Sequence, residues 1–198
     1  SHTAVAVTRY GNVMYSRGSV IPRFVRQLRE GGPLTVTEPE MTRFLMSLDE
    51  SVDLVHHAFL HAAPGDVFVR KAPAATVETI ARAVATIMGI DDPTLQVIGP
   101  RHGEKFHETL LTREELATAK DQGPYFRVPL DGRSMNYGHD LTPVMRPPAL
   151  VDDYTSENAE RLTLAQTVEL LLTLPQMRAL CAVRPASEAQ PVMARALA

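Results

Sequence analysis

Cysteine occurs once in 198 residues, at Cys181. No internal disulfide and no thiolate-based zinc centre can therefore form within the chain. This usage implies a reducing, cytoplasmic setting. Tryptophan is absent, and lysine is confined to Lys71, Lys105 and Lys120. The net charge of −3 and a pI near 6.2 do not fit the clustered basic surface of a nucleic-acid binder. No secretory signal is visible. The most apolar stretch, residues 164–183, is interrupted by Glu169, Pro175 and Arg178, so no membrane span is expected. Two local patterns are also missing. There is no G-x-G-x-x-G or G-x-x-G-x-x-G loop, and no tyrosine is followed four residues later by lysine. The chain thus offers neither a glycine-rich dinucleotide loop nor that proton-transfer pair.

What is present suits one globular domain, or a small domain with appendages. Hydrophobic residues make up 44% of the chain. A domain of this size buries roughly 70% of its unfolded surface. Ser1-His2 reads as a tag remnant. Residues 3–120 carry the clear alternation of strands and helices. Residues 121–184 form a proline-punctuated extension, and 185–198 have the composition of a disordered tail. No internal repeat is evident.

Thr3–Thr8 contains the run Ala4-Val5-Ala6-Val7, which predicts a buried strand. It exits through Arg9-Tyr10-Gly11-Asn12. Ser19 can cap a helix with Pro22 in its first turn and Phe24, Val25 and Leu28 on its apolar face, stopped by Gly31-Gly32-Pro33. Short strands are expected at 34–37 and 42–48. A helix then runs to about His61, with Val52, Val55, Phe59 and Leu60 as its apolar positions. Pro64-Gly65-Asp66 is a turn before the buried strand Val67-Phe68-Val69. Residues 76–88 predict an amphipathic helix stopped by Gly89. Residues 95–98 predict a strand, and Thr112-Arg113-Glu114-Glu115 predicts a capping box. Residues 121–150 read as loop, and 163–174 as a last helix with a Leu-rich face.

The most informative residues lie in two loops far apart in sequence, Arg9-Tyr10-Gly11-Asn12-Val13 and Arg101-His102-Gly103-Glu104-Lys105. A guanidinium fork beside a glycine suits a pyrophosphate, because the backbone can approach and the fork can donate twice. The group His102, Glu104, His107 and Glu108 lacks metal-ligand spacing, since adjacent His107 and Glu108 diverge. His57 and His61 stand four apart without an evident third ligand, and an exposed helix face is expected there.

Further segments occur in order: Ser16-Arg17-Gly18-Ser19-Val20-Ile21-Pro22, Met41-Thr42-Arg43-Phe44, Lys71-Ala72-Pro73-Ala74-Ala75-Thr76, Glu108-Thr109-Leu110-Leu111, and Val151-Asp152-Asp153-Tyr154 leading into Asn158-Ala159-Glu160-Arg161-Leu162. Together these resemble the C-terminal half of an extended short-chain dehydrogenase/reductase. They are similar to the bacterial capsule and O-antigen UDP-N-acetylglucosamine 4,6-dehydratases that also epimerise C5, on the route to UDP-N-acetyl-L-fucosamine. The resemblance covers residues 3–183. It implies an α/β fold: the substrate-binding part of a Rossmann-type enzyme, without the N-terminal dinucleotide-binding half. It implies NADP as cofactor, bound mainly by that other half, and a UDP-sugar as ligand. In the family the strands at 3–8 and 66–69 join the parallel sheet of that other half; alone they leave unpaired edges that favour association, so a homo-oligomer is expected.

The residues implied to bind substrate are Asn12, Arg17, Ser19, Arg43, Arg101 and Glu104, with none catalytic. Each has a plainer reading. Asn12 could bond its own loop backbone, and Ser19 could simply cap the helix. Arg43 could lie over an apolar patch. Glu104 could be a turn acid, or could orient Arg101. A retaining dehydratase, a UDP-sugar 4-epimerase and a non-catalytic binding or assembly fragment remain alternatives. His102 after Arg101, and the Tyr154–Arg161 segment, favour the inverting dehydratase.

Overall fold

The structure, a computed structural model, describes residues 3–130 and 152–182. Ser1-His2, most of the expected loop-rich stretch and the 185–198 tail lie outside these residues. The expected α/β class is what is found.

Strand β1 (Val7–Arg9) leads through the Tyr10–Ser19 loop into helix α1 (Val20–Arg29). Next come β2 (Leu34–Val36), β3 (Thr42–Phe44), α2 (Leu48–His61), β4 (Val67–Arg70), β5 (Ala74–Thr76) and α3 (Val77–Ile87). They are followed by β6 (Leu95–Val97), β7 (Thr109–Leu111), α4 (Arg113–Thr118), β8 (Lys120–Asp121) and β9 (Tyr125–Val128). The remaining elements are β10 (Tyr154–Thr155), α5 (Leu164–Leu171) and α6 (Pro175–Ala182).

The main sheet has the order β1-β4-β9-β8. β1 runs parallel to β4, with Val7 opposite Val67, while β9 is antiparallel to both β4 and β8. Three two-stranded ladders complete the fold: parallel β2–β6, antiparallel β3–β5 and antiparallel β7–β10.

Two apolar centres, with a smaller cluster of Leu54, Ala58, Phe68 and Tyr125 beside them, hold these parts. One joins α1, α3, α5 and α6 to β2 through Phe24, Leu34, Ile80, Val84, Leu171 and Met177. The other joins β3, β4, β7 and β9 through Phe44, Val69, Leu111 and Val128. The α3 helix is buried along much of its length because alanines at 81, 83 and 85 allow close approach.

Several expectations need correction. The first strand is shorter than Thr3–Thr8 and is not buried: Val5 is 64% and Val7 50% exposed. An unbroken apolar run is equally readable as a strand with both faces covered, but here the strand lies at the sheet edge. The strand expected over 42–48 ends at Phe44, and Met46 instead makes an isolated bridge to Val13. Helix α2 buries Ser51, Leu54 and Ala58, while Val52, Val55, Phe59 and Leu60 face outward. The smaller stripe is the one that packs on Phe68 and Tyr125. The last helix divides at Pro175, which starts α6. The β8–β9 hairpin occupies part of the stretch read as loop.

Candidate functional site

The two informative loops hang from different parts of the fold. β1 delivers the Tyr10–Ser19 loop over β3. Gly11 is required there: a Cβ at this position would lie 2.5 Å from the Phe44 Cβ. The Asn12 carbonyl accepts from the Met46 amide at 3.2 Å, and the Asn12 side chain is exposed. Arg9 anchors the loop's start. It grips Glu115 with both guanidinium nitrogens, at 2.7 and 3.0 Å, and donates to the Leu110 carbonyl at 2.8 Å. That ion pair raises the Arg9 pKa. The Arg9 hydrogen bond, against a smaller burial penalty, holds the Glu115 carboxyl below its ordinary range.

The second loop leaves β6, whose only partner among the described residues is β2. Arg101 and Glu104 form a tight turn: the Glu104 amide donates to the Arg101 carbonyl at 3.0 Å, and the Arg101 amide donates to Glu104 Oε2 at 3.2 Å. Glu104 Oε1 accepts from Thr37 Oγ1 and from Arg43 Nη2, both at 3.3 Å. Glu104 therefore fixes the turn that presents Arg101. Among the described residues the Arg101 guanidinium has no hydrogen-bond or ion-pair partner.

These loops meet β2, β3 and α1 around a cavity of about 160 Å³, whose lining includes Gly18, Arg23, Thr35, Arg43, Arg101 and Glu104. Arg43 is well engaged inside the protein. It donates to the Thr42 carbonyl at 2.7 Å and the Phe106 carbonyl at 3.2 Å, and its Nε lies 3.8 Å from Glu108. Ser19 is the N-cap of α1 but makes no side-chain cap bond, and its hydroxyl is buried without a partner. A helix start whose cap oxygen is unspent, beside arginines, is suited to an anion.

Of the six residues singled out by sequence, the structure brings Arg43, Arg101 and Glu104 to this cavity, with Ser19 between its lining neighbours Gly18 and Val20. Asn12 and Arg17 are exposed and do not line it. Two contributors were not foreseen. Arg23 donates to Thr35 Oγ1 at 2.7 Å, and Gln27 donates to the same oxygen at 2.7 Å. Their signal is weak but real: Ser19, Arg23 and Gln27 recur at a spacing of four along one face of α1.

Behind Arg43, the buried Thr42 hydroxyl meets His107 Nδ1 at 2.8 Å and Ser156 Oγ at 2.6 Å. Ser156 Oγ also accepts from the Glu108 amide at 2.9 Å. This cluster ties β3 to the segments at 107–108 and 156. No sequence spacing connects residues so far apart.

The family described as "Polysaccharide biosynthesis protein" matches residues 1–130, and "Polysaccharide biosynthesis protein C-terminal" matches residues 131–178. Proteins named UDP-glucose 4-epimerase from Rickettsia prowazekii (strain Madrid E) and Rickettsia typhi (strain ATCC VR-144 / Wilmington) are 54% and 53% identical over 172 residues, 87% of this chain and 50% of theirs. Among solved structures, that of Pen from Bacillus thuringiensis superposes with a TM-score of 0.70 at 29% identity, over 86% of this chain and 49% of that one. The chain thus spans about half the length of the curated relatives it matches. Among the described residues, no helix is long and apolar enough to cross a membrane. With a family match over most of its length, the chain belongs to the polysaccharide biosynthesis protein family.

Proposed function

We propose that this chain is the UDP-sugar-binding half of an NADP-dependent nucleotide-sugar enzyme of bacterial polysaccharide biosynthesis. The finer reading is a UDP-N-acetylglucosamine 4,6-dehydratase that also inverts C5. The observation that carries the binding role is the cavity where Arg101, with its guanidinium unspent, joins Arg23 beside the uncapped start of α1. A pyrophosphate placed there takes the Arg101 fork and the first amides of α1, and Ser19 supplies a buried hydroxyl donor. A charge-assisted hydrogen bond of this kind contributes about 1.5–3 kcal/mol. Held this way, the diphosphate orients the sugar for chemistry elsewhere.

The residues present do not fit NADP. The chain has no glycine-rich loop and no Tyr-x-x-x-Lys pair. The hydride chemistry comes from the cofactor when it is bound by the other half. No redox step is assigned to this chain, whose part is to bind and orient.

A UDP-sugar 4-epimerase is the second reading. It is favoured by the name carried by relatives more than 50% identical to this chain. Calorimetric titration with UDP-N-acetylglucosamine, UDP and ADP tests the binding role, on this chain and on its fusion to the unmatched half of the Rickettsia prowazekii relative. Uridine-selective binding that weakens roughly 10- to 100-fold in Arg101→Ala is expected. Undiminished binding by that variant, or none by the fusion, overturns the site. Product analysis of the fusion by NMR in D2O separates the two activities. A 4-keto-6-deoxy sugar labelled at C5 marks the dehydratase; C4 inversion with C6 oxygen retained marks the epimerase.

A further inference from the structure

His107 does not line the cavity at Arg101, yet a short chain of hydroxyl groups runs from its ring to Arg43, which does. His107 Nδ1 lies 2.8 Å from Thr42 Oγ1, and Thr42 Oγ1 lies 2.6 Å from Ser156 Oγ. Ser156 Oγ is in turn 3.2 Å from the Thr42 carbonyl oxygen. That oxygen accepts from Arg43 Nη1 at 2.7 Å. Thr42 is 1% and Ser156 0% exposed, so water does not compete for these bonds. On the far side of the ring, Nε2 faces Glu157 Oε2 at 3.6 Å. A carboxylate there keeps a hydrogen on Nε2, so Nδ1 is the nitrogen that gains or loses one.

Each hydroxyl donates once and can accept twice, so the chain has two complete arrangements. With Nδ1 bare, Ser156 donates to Thr42 Oγ1 and Thr42 donates to His107. With Nδ1 protonated, the order reverses: His107 donates to Thr42 Oγ1, Thr42 donates to Ser156, and the Ser156 hydroxyl turns to the Thr42 carbonyl. The Glu108 amide donates to Ser156 Oγ at 2.9 Å in both. The two arrangements differ at the oxygen that holds Arg43, which takes a second donor when the ring is charged. We infer that His107 is a positioning residue for Arg43, its protonation passed on through the Thr42 and Ser156 hydroxyls. Imidazole is the side chain that changes charge between about pH 5 and 8. Once the Thr42 carbonyl is shared, Arg43 Nη1 is held less firmly and is freer to meet an anion beside Arg101. Acid therefore tightens a diphosphate in the cavity. That consequence rests on the binding role proposed above; the relay itself does not. Other charged groups face the same ring and guanidinium. Arg161 donates to the Glu157 carbonyl at 3.1 Å. Glu104 and Glu108 lie 3.3 and 3.8 Å from the Arg43 guanidinium. Lys105 and a second imidazole, His102, belong to the segment that leads from Arg101 to His107.

NMR on this chain and on its fusion to the unmatched half of the Rickettsia prowazekii relative reads both ends of the relay. The nitrogen-15 shifts of the His107 ring report its protonation, and the carbon-13 shift of the Thr42 carbonyl reports the donors it receives. The two are expected to move together between about pH 5 and 8. Ser156→Ala is expected to leave the ring titrating and the carbonyl still. His107→Asn keeps an acceptor near the place of Nδ1 and has no ring to titrate, so it holds the carbonyl still without disturbing Ser156. The ligand probe is UDP-N-acetylglucosamine, whose diphosphate diester gains no proton in this range. The fusion is expected to bind it about three- to tenfold more tightly at the acid end. His107→Asn is expected to bind equally at both ends, with the comparison made in a His102→Gln background. A Thr42 carbonyl shift that stays constant across the range overturns the inference, as does one that still moves in Ser156→Ala. A pH-dependent affinity that survives His107→Asn overturns the bearing of the relay on the ligand. Absence of binding at any pH removes the diphosphate reading instead, and the carbonyl shift still decides the relay.

Discussion

Arg101 was singled out by the sequence, as a guanidinium beside Gly103 after a short strand. Gly11 was not, since Tyr10-Gly11-Asn12 read only as a strand-to-loop exit, and the close approach that requires a glycine there, to Phe44, is seen in the structure. Replacing Gly11 by Ala forces the loop off β3. An overpacking cost of about 1–3 kcal/mol is expected in urea melts, with weaker UDP binding in the full-length fusion. The role of Glu104 was left open by the sequence. The structure places it under the Arg101 turn, with Thr37 and Arg43 as further partners, so Glu104→Gln should loosen that turn and weaken UDP binding less than Arg101→Ala does. The Arg9–Glu115 pair was not legible, because nothing in sequence links positions over a hundred residues apart. Its carboxyl is held below the ordinary range, so it favours the fold above the ordinary carboxylate pKa of about 4.3, and that contribution is lost as pH falls through the lower folded value. Glu115→Gln should therefore lower the melting temperature at pH 7 and flatten its dependence on pH between about 5 and 3, measured against the parent chain.

At the scale of elements, cap chemistry was a good signal except at Ser19, which starts α1 without a side-chain cap bond. The box read at Thr112–Glu115 is present, and Ser47–Glu50 and Thr163–Gln166 form two more. Thr163→Ala removes the cap of α5 and should cost about 1 kcal/mol in a denaturant melt. Periodicity was less reliable where two stripes competed. On α2, Val52, Val55 and Phe59 repeat as helically as Ser51, Leu54 and Ala58, and hydrophobicity chooses the first set. Packing against Phe68 and Tyr125 chose the second, because smaller side chains let the helix approach β4. His57 follows from that choice: it stacks on Tyr125 at 4.2 Å and meets Gln122 at 3.0 Å, so it is half-buried rather than on an exposed face. The β8–β9 hairpin was hidden by Pro124 and Pro129, which stand just outside β9 rather than within it.

For the whole molecule, the α/β class and the order of most elements could be read, since each carried its own turn or cap. The pairing of β2 with β6, and the division into two apolar centres, could not, because both rest on contacts between distant segments. The centre built on α3 and α5 is the larger, and Leu171 is fully buried in it. Leu171→Ala should cost about 2–5 kcal/mol in the same melts, without altering the Arg101 turn directly. The cavity at Arg101 lies on the thinner part of the fold. β6 is largely exposed and, among the described residues, is hydrogen-bonded to β2 alone, from Leu34 opposite Leu95 to Val36 opposite Val97. Such a ladder opens at lower free energy than the packed helices. The wall that carries Arg101 is thus set to breathe while the core stays closed, which would give the proposed diphosphate a way in and out without unfolding the domain. A bound nucleotide that spans Arg101 and α1 would stitch that ladder shut, so occupancy can be read as slowed amide exchange at 95–98 while α3 is left unchanged.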